Sequence, residues 1–114
     1  MKKVIEIRSY CLKPGTRDEF LKVMTEESLP MLRRWGFDIV SYGSSIHDDD
    51  SCYLIRAYLD LNDLQNSEKA FYGSSEWKEG PRESIVSKIV TDTTIVIEME
   101  EAKIGNLRMA ENAG

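Results

Sequence analysis

The chain has 114 residues, of which 31% are charged and 41% hydrophobic, and it carries a formal net charge of −5 with a pI near 4.9. This length suits one domain with a single core, and the acidic balance disfavours a nucleic-acid partner, whose phosphates bind clusters of Lys and Arg. The apolar runs are far shorter than a membrane span, and Glu6 and Arg8 interrupt the run that a secretory signal would need. We therefore expect a cytoplasmic domain with neither a nucleic-acid nor a membrane partner.

The first predicted strand extends from Val4 to Leu12, because its residues alternate between two faces. One face is apolar or small and the other is mixed: Ile5, Ile7, Ser9 and Cys11 lie on the first, and Val4, Glu6, Arg8 and Tyr10 on the second. Pro14 and Gly15 then end the strand.

A helix is predicted to begin at about Thr16, which forms a capping box with Glu19, and to end at Gly36. Pro30 lacks the N–H that would donate to the carbonyl of Glu26, and its ring crowds that turn. We expect the helix to kink or restart between Ser28 and Pro30.

The second and third strands, predicted over Phe37 to Ile46 and Cys52 to Leu59, form a hairpin through the acidic turn that contains His47. The third strand is expected to be an inner strand with two different faces. Its apolar face and its mixed face each take alternate residues: Tyr53, Ile55, Ala57 and Leu59 on the first, and Cys52, Leu54, Arg56 and Tyr58 on the second.

The rest of the chain is predicted to contain helices and one last strand. Asp60 or Asn62 caps a helix that ends at Gly73. A capped turn at 74–77 is followed by a short helix from Pro81, in which Ile85/Val86 and Ile89/Val90 are the apolar pairs. Residues 93–99 form the last strand, and residues 101–114 lack periodicity and are expected to be a flexible tail.

This order of elements predicts an α+β fold, a ferredoxin-like βαββαβ sandwich over residues 1–100 with a four-stranded antiparallel sheet and helices on one face. We expect the helices to leave the mixed face of the sheet uncovered. An exposed patch of that size indicates an interface, so the sequence predicts a homodimer whose two sheets pack face to face.

Several short segments resemble a NIPSNAP domain over residues 3 to about 100. The matching segments are Glu6-Ile7-Arg8-Ser9-Tyr10, Lys13-Pro14-Gly15, Arg56-Ala57-Tyr58 before Asp60-Leu61, and Trp77. The resemblance implies membership of the dimeric α/β-barrel superfamily, which includes cofactor-free monooxygenases, isomerases, haem proteins and ligand-sensing modules. It implies a dimer and a barrel without naming an activity. The family often carries an arginine soon after the segment that matches Asp60-Leu61. This chain has Asn-Asp-Leu-Gln at positions 62–65.

The mixed face provides the candidate ligand-binding residues, because arginines clamp anions and phenols donate or relay protons. The candidates are Glu6, Arg8, Tyr10, Tyr42, Arg56, Tyr58 and Glu98. Arg56 is the residue that we expect to contribute most to a pocket. The alternative is that Arg8 and Arg56 pair with Glu6 and Glu98 and fill the interior.

Other chemistries have weaker support in the sequence. His47 is the only histidine, so neither a histidine-containing triad nor a multi-histidine metal site is expected from one chain. Its acidic neighbours lack the spacing of a calcium loop, and its strand-end position disfavours a haem ligand. Cys11 and Cys52 are predicted to be reduced core thiols. No phosphate loop is present, and we expect neither a metal nor a cofactor.

Two functions are compatible with these patterns. One is a small cofactor-independent enzyme, of the monooxygenase or isomerase type, that acts on an anionic or phenolic molecule in the barrel. The other is a non-catalytic dimeric module that binds a small molecule or another protein. A solvent-accessible cavity of about 300 Å³ or more would favour a ligand, whereas an interior filled by Arg–Glu pairs would favour the module without one.

Overall fold

The computed structural model describes residues 1–109. This part of the chain contains four strands and six α-helices, and a π-helical turn joins the first two helices. In order they are β1 (Lys2–Leu12), α1 (Arg17–Val23), the π-helical turn (Met24–Ser28), α2 (Leu29–Arg34), β2 (Asp38–Ser44), β3 (Ser51–Tyr58), α3 (Leu61–Tyr72), α4 (Ser75–Glu79), α5 (Arg82–Val86), β4 (Ile89–Glu100) and α6 (Glu101–Leu107).

The four strands form one antiparallel sheet in the order β2-β3-β1-β4. The predicted ferredoxin-like α+β arrangement is therefore confirmed, with β3 as an inner strand beside β1. The register places Glu6 directly opposite Arg56, and Val4 opposite Tyr58. Side chains of the same parity on these two strands therefore share one face of the sheet.

Helices α1 to α5 pack on the mixed face of the sheet, which we call the helix face. Its buried side chains Tyr10, Leu54 and Tyr58 belong to one core cluster with Phe20 of α1 and Phe71 of α3. The expectation that the mixed face is left uncovered is wrong. The helices bury it because its apolar and aromatic residues supply most of the core, while its charged residues pair with one another.

The other side of the sheet, which we call the open face, is apolar. Ile5, Ala57 and Val40 form a second buried cluster there, with Ile7 and Ile55 partly buried beside them. Val40 lies on this face and Tyr42 on the helix face because an irregularity in the pairing of β2 with β3 falls between Ile39 and Ser41. On the edge strand β4, this face is exposed.

The first helical segment is interrupted as Pro30 predicted. A π-helical turn occupies Met24–Ser28, and α2 restarts at Leu29 with Pro30 in its first turn. The segment ends at Gly36, whose positive φ of 88° is the left-handed conformation that glycine adopts readily. The capping box is wrong, because the Thr16 hydroxyl donates to the carbonyl of Lys13 at 2.7 Å and makes no bond to the helix start.

In the second half of the chain, the cap of α3 agrees with the prediction and the start of the last strand does not. Asp60 caps α3 as expected, with Oδ1 accepting from the N–H of Asp63 at 2.7 Å. The last strand, however, already begins at Ile89, so Ile89 and Val90 belong to β4 and not to a helix. Of the two predicted core thiols, Cys52 is buried and free, but Cys11 is exposed.

The segment after β4 was expected to lack structure, but residues 101–107 form α6 on the open face, where Ile104 is 1% exposed. Arg108 then pairs with both carboxylate oxygens of Asp38 at 2.7 Å, and the N–H of Met109 donates to the carbonyl of Val40. Residues 110–114 of the predicted tail lie outside the described residues. Within residues 1–109, no helix has the length and apolarity that a membrane crossing requires.

Candidate functional site

Two arginines and two glutamates form a buried group between the sheet and α3, which we call the Arg–Glu cluster: Glu6, Arg8, Arg56 and Glu68. Arg56 is its centre and is 0% exposed. Its Nη2 lies 2.7 Å from Glu6 Oε1 and 3.2 Å from Glu68 Oε2, its Nε donates to Glu6 Oε1, and its Nη1 donates to the Tyr72 hydroxyl at 2.9 Å. All three guanidinium nitrogens of Arg56 therefore already have protein partners.

Arg8 occupies the outer side of the cluster, with its side chain 20% exposed. Its Nη2 donates to Glu68 Oε1 at 2.9 Å. Its Nε lies 3.2 Å from Glu6 Oε2 but is not aligned to donate to that oxygen, so this buried N–H has no hydrogen-bond partner within residues 1–109. The guanidinium also stacks over the Tyr72 ring, 5.5 Å from its centre. Arg8 is thus less completely paired than Arg56.

The two carboxyl groups differ in proton affinity. Burial raises the pKa of Glu6, but hydrogen bonding with Glu68 and the charges of Arg56 and Arg8 outweigh burial, so the pKa is lowered. Burial and hydrogen bonding with Glu6 raise the pKa of Glu68. Tyr58 donates to both carboxylates, at 3.3 Å to Glu6 and 2.7 Å to Glu68, and its bond to Glu68 offsets part of that increase. Because the pKa of Glu68 is raised and that of Glu6 is lowered, the cluster retains a proton more readily on Glu68.

The sequence positions most of this cluster through strand register. Glu6 and Arg56 face each other across β1 and β3, and Arg8 follows Glu6 on the same face. Glu68 and Tyr72, which come from α3, were not predicted from the sequence. The signal was present, since Leu64, Glu68 and Tyr72 repeat every four residues and therefore share the inward side of that helix.

A cavity of about 210 Å³ lies beside the cluster, between the helix face and helices α1 to α5. Most of its walls are apolar, with polar groups of Arg8, Tyr10 and Asp92 from the sheet, Ser28 from the π-helical turn and Tyr72 from α3. Its lining consists of Arg8, Tyr10, Phe20, Met24, Ser28, Leu29, Leu32, Leu54, Tyr72, Trp77, Ile85, Val86, Ile89 and Asp92. This volume is below the ligand-pocket size of about 300 Å³ or more. Burial raises the pKa of Tyr10 to about 12, so its phenol remains protonated at neutral pH.

The structure brings together five of the seven candidate ligand-binding residues: Glu6, Arg8, Tyr10, Arg56 and Tyr58. Tyr42 packs against the edge of the core and does not line the cavity. Glu98 has the expected parity but lies exposed on the edge strand β4, in a separate groove with Val4 and Leu61. The Arg–Glu pairing expected with Glu6 is present, and Glu68 takes the place that the sequence analysis gave to Glu98.

The acidic turn is a separate surface feature. The Nδ1 of His47 lies within hydrogen-bonding distance of the Ser45 hydroxyl, and its Nε2 lies 3.1 Å from Asp48 Oδ2. In the part of the chain that the structure describes, no three His, Cys, Asp or Glu side chains are grouped so that they would hold a metal ion.

Comparison with known proteins finds similarity to solved structures only. No protein-family model matches the chain, and no curated protein matches it. A NIPSNAP family protein with unknown function from Agrobacterium tumefaciens superposes with a TM-score of 0.78 at 22% identity, covering 85% of this chain and 87% of that chain. An uncharacterized NIPSNAP-like domain protein from Burkholderia xenovorans gives 0.77 at 20% identity, covering 87% and 86%.

A more distant similarity extends to an enzyme. SnoaB, a cofactor-independent oxygenase from Streptomyces nogalater, superposes with a TM-score of 0.62 at 12% identity, covering 87% of this chain and 93% of that chain. Identities this low concern the fold and carry no activity over. The chain therefore has a NIPSNAP-like fold, in which a four-stranded antiparallel ferredoxin-like sheet bears helices on one face.

Proposed function

We propose that the protein binds a small molecule with an apolar ring and one anionic group in the cavity between the sheet and the helices. The observation that supports this function is the Arg8 guanidinium in an otherwise largely apolar wall, where its buried Nε–H lies 3.2 Å from Glu6 Oε2 but is not hydrogen-bonded within residues 1–109. A charge-assisted bond is stronger in such surroundings than in water. At about 30 Å³ per water, the cavity corresponds to roughly seven waters, which suits a ligand with a single ring.

The proposal assigns the anion to Arg8 and not to Arg56. Every guanidinium nitrogen of Arg56 already donates within the cluster, so a ligand would have to displace Glu6, Glu68 or Tyr72. We therefore interpret Arg56 as a structural residue that holds the two glutamates.

Calorimetric titration with benzoate tests the proposal, since benzoate combines one ring with one carboxylate. Val86 lines the cavity and is 41% exposed, so Val86→Trp should block the site without crowding the core. Ile46→Trp is the matched control, because Ile46 is fully exposed in the turn and does not line the cavity. We expect binding to the parent and to Ile46→Trp and none to Val86→Trp. Binding unaffected by Val86→Trp would place benzoate elsewhere and refute the proposal.

A second candidate is a cofactor-independent enzyme of the isomerase or monooxygenase type that acts on an anionic or phenolic substrate. Asp92 favours it, because this carboxylate lines the cavity and faces Tyr10 across β1 and β4. In an isomerisation, the carboxylate would take a proton from one substrate atom and return it to another. Keto–enol conversion of phenylpyruvate, followed by ultraviolet absorbance, should then be slower in Asp92→Asn. Equal rates in the parent, the variant and buffer would exclude this isomerisation.

We also propose that two copies associate through the open face. Ile95 and Ile97 of β4 are 57% and 37% exposed, and they continue the apolar surface of Ile7 and Ile55. Exposed apolar patches of this kind normally mark interfaces. The proposed interface is thus on the side of the sheet opposite to the one that the sequence analysis chose.

A further inference from the structure

Ser28 has a buried hydroxyl without a hydrogen-bond partner in the described part of the chain. The residue is 5% exposed, it lines the cavity, and its Oγ bonds to nothing within residues 1–109. Burying an unpaired hydroxyl costs free energy, so such groups are rare in folded proteins. The position therefore suits a hydrogen-bonding group of a molecule that enters the cavity.

Within residues 1–109, the Ser28 hydroxyl makes no bond to the preceding turn of its own helix, which here is a π-helical turn. A helical Ser or Thr usually donates to the carbonyl four residues earlier, and Thr25 does so, with Oγ1 at 2.7 Å from the Leu21 oxygen. The corresponding carbonyl for Ser28 belongs to Met24, and it accepts the N–H of Leu29. Such turns occur frequently at functional sites.

The wall around Ser28 is otherwise apolar. Met24 and Leu32, four residues before and after it, are both buried and both line the cavity. The Ser28 hydroxyl is thus a polar group of the α1–α2 side of the cavity, whereas Arg8, Tyr10 and Asp92 provide polar groups on the sheet wall. A ligand that fills the space between these walls can therefore form hydrogen bonds on both sides.

We infer that Ser28 selects ligands with a second polar group, namely hydroxylated aromatic acids, with the carboxylate at Arg8, the ring among the apolar walls and the hydroxyl at Ser28. This inference rests on the proposed function and specifies its ligand class. One additional hydrogen bond corresponds to an affinity gain of roughly 3- to 10-fold.

Calorimetric titration with benzoate, meta-hydroxybenzoate and para-hydroxybenzoate tests the inference. We expect the parent to bind at least one hydroxybenzoate roughly 3- to 10-fold more tightly than benzoate. Ser28→Ala should lose this preference for the hydroxybenzoate over benzoate. Thr25→Val is the matched control, because it removes a hydroxyl from the same turn that bonds to Leu21 and does not line the cavity, and it should retain the preference.

The outcomes separate the two claims. Equal affinity of the parent for all three acids, or a preference that persists in Ser28→Ala, overturns the role of Ser28 and leaves the proposed function standing. If the parent binds none of the three acids, the proposed function fails and the inference fails with it. The comparison among ligands in the parent does not depend on the folding of any variant.

Discussion

Arg56 is completely buried and neutralises two carboxylates, so its removal should destabilise the fold. We predict that Arg56→Met lowers the free energy of unfolding at neutral pH by about 3–5 kcal/mol, because Glu6 is left as an incompletely paired buried charge. Without Arg56, burial raises the pKa of Glu6. The variant should therefore regain stability relative to the parent as the pH falls through that raised pKa and Glu6 becomes protonated.

Urea denaturation of the parent and variant at several pH values measures both effects. Arg34→Met is the control, because it breaks an exposed ion pair with Glu76 and should have little effect. A stability loss for Arg56→Met no larger than that of the control would contradict the structural role of Arg56.

The raised pKa of Glu68 leads to a separate prediction about how folding stability depends on pH. Its pKa in the folded protein is raised from the ordinary value of 4.5, so the folded state holds this proton to a higher pH than the unfolded chain does. The parent should therefore lose stability as the pH rises from about 4.5 through the raised pKa. Glu68→Gln removes this titration, so the stability of the variant relative to the parent should increase across the same window. Denaturation curves that give a constant difference would contradict the assignment.

At the level of single residues, alternation along β1 and β3 was sufficient to predict that Glu6, Arg8 and Arg56 lie together. Glu68 was missed because only apolar residues were used to locate the inward side of α3. Alternation along β4 correctly places Glu98 on the helix face of the sheet. Alternation does not show whether a helix covers that part of an edge strand, and Glu98 is exposed. Ser28 was passed over as part of a helix break, although it interrupts an otherwise apolar four-residue repeat.

Among the secondary-structure elements, α3 allows a direct test of capping. Asp60→Ala removes the acceptor of the Asp63 N–H and should cost about 1 kcal/mol of folding stability. Thr16→Ala is the matched variant before α1, and it should cost less because the Thr16 hydroxyl bonds to Lys13 and not to the helix. Thermal or urea denaturation measures both. An equal loss in the two variants would contradict this distinction between the helix starts.

The positions at which one element gives way to the next were easier to predict than the type of structure found there. Pro30 indicates an interruption because it lacks an N–H, but the sequence does not show that a π-helical turn accommodates it. Ile89 and Val90 fit a helical pattern with Ile85 and Val86, and pairing of β4 with β1 overrides that local pattern. Helix α6 was missed because its packing depends on one residue, Ile104.

For the whole molecule, the proposed dimer has a clear mutational test. Ile95→Asp places a carboxylate on the open face at a residue that is 57% exposed in one chain, so the monomer should still fold. We predict that light scattering gives a dimer mass for the parent at micromolar concentration and a monomer mass for Ile95→Asp. Ile46→Asp, outside that face, should remain a dimer. A parent monomer, or an Ile95→Asp dimer, would contradict this interface.

The most direct test of the account is to map where benzoate binds on the parent protein by nuclear magnetic resonance. Binding in the cavity should shift the indole N–H of Trp77 and the methyl group of Met24, which both line it, while Trp35 changes little. The main alternative is the groove beside Glu98, which contains Lys3. Shifts confined to Lys3 and its neighbours, with Trp77 and Met24 unchanged at saturating benzoate, would contradict the claim that the cavity is the ligand site.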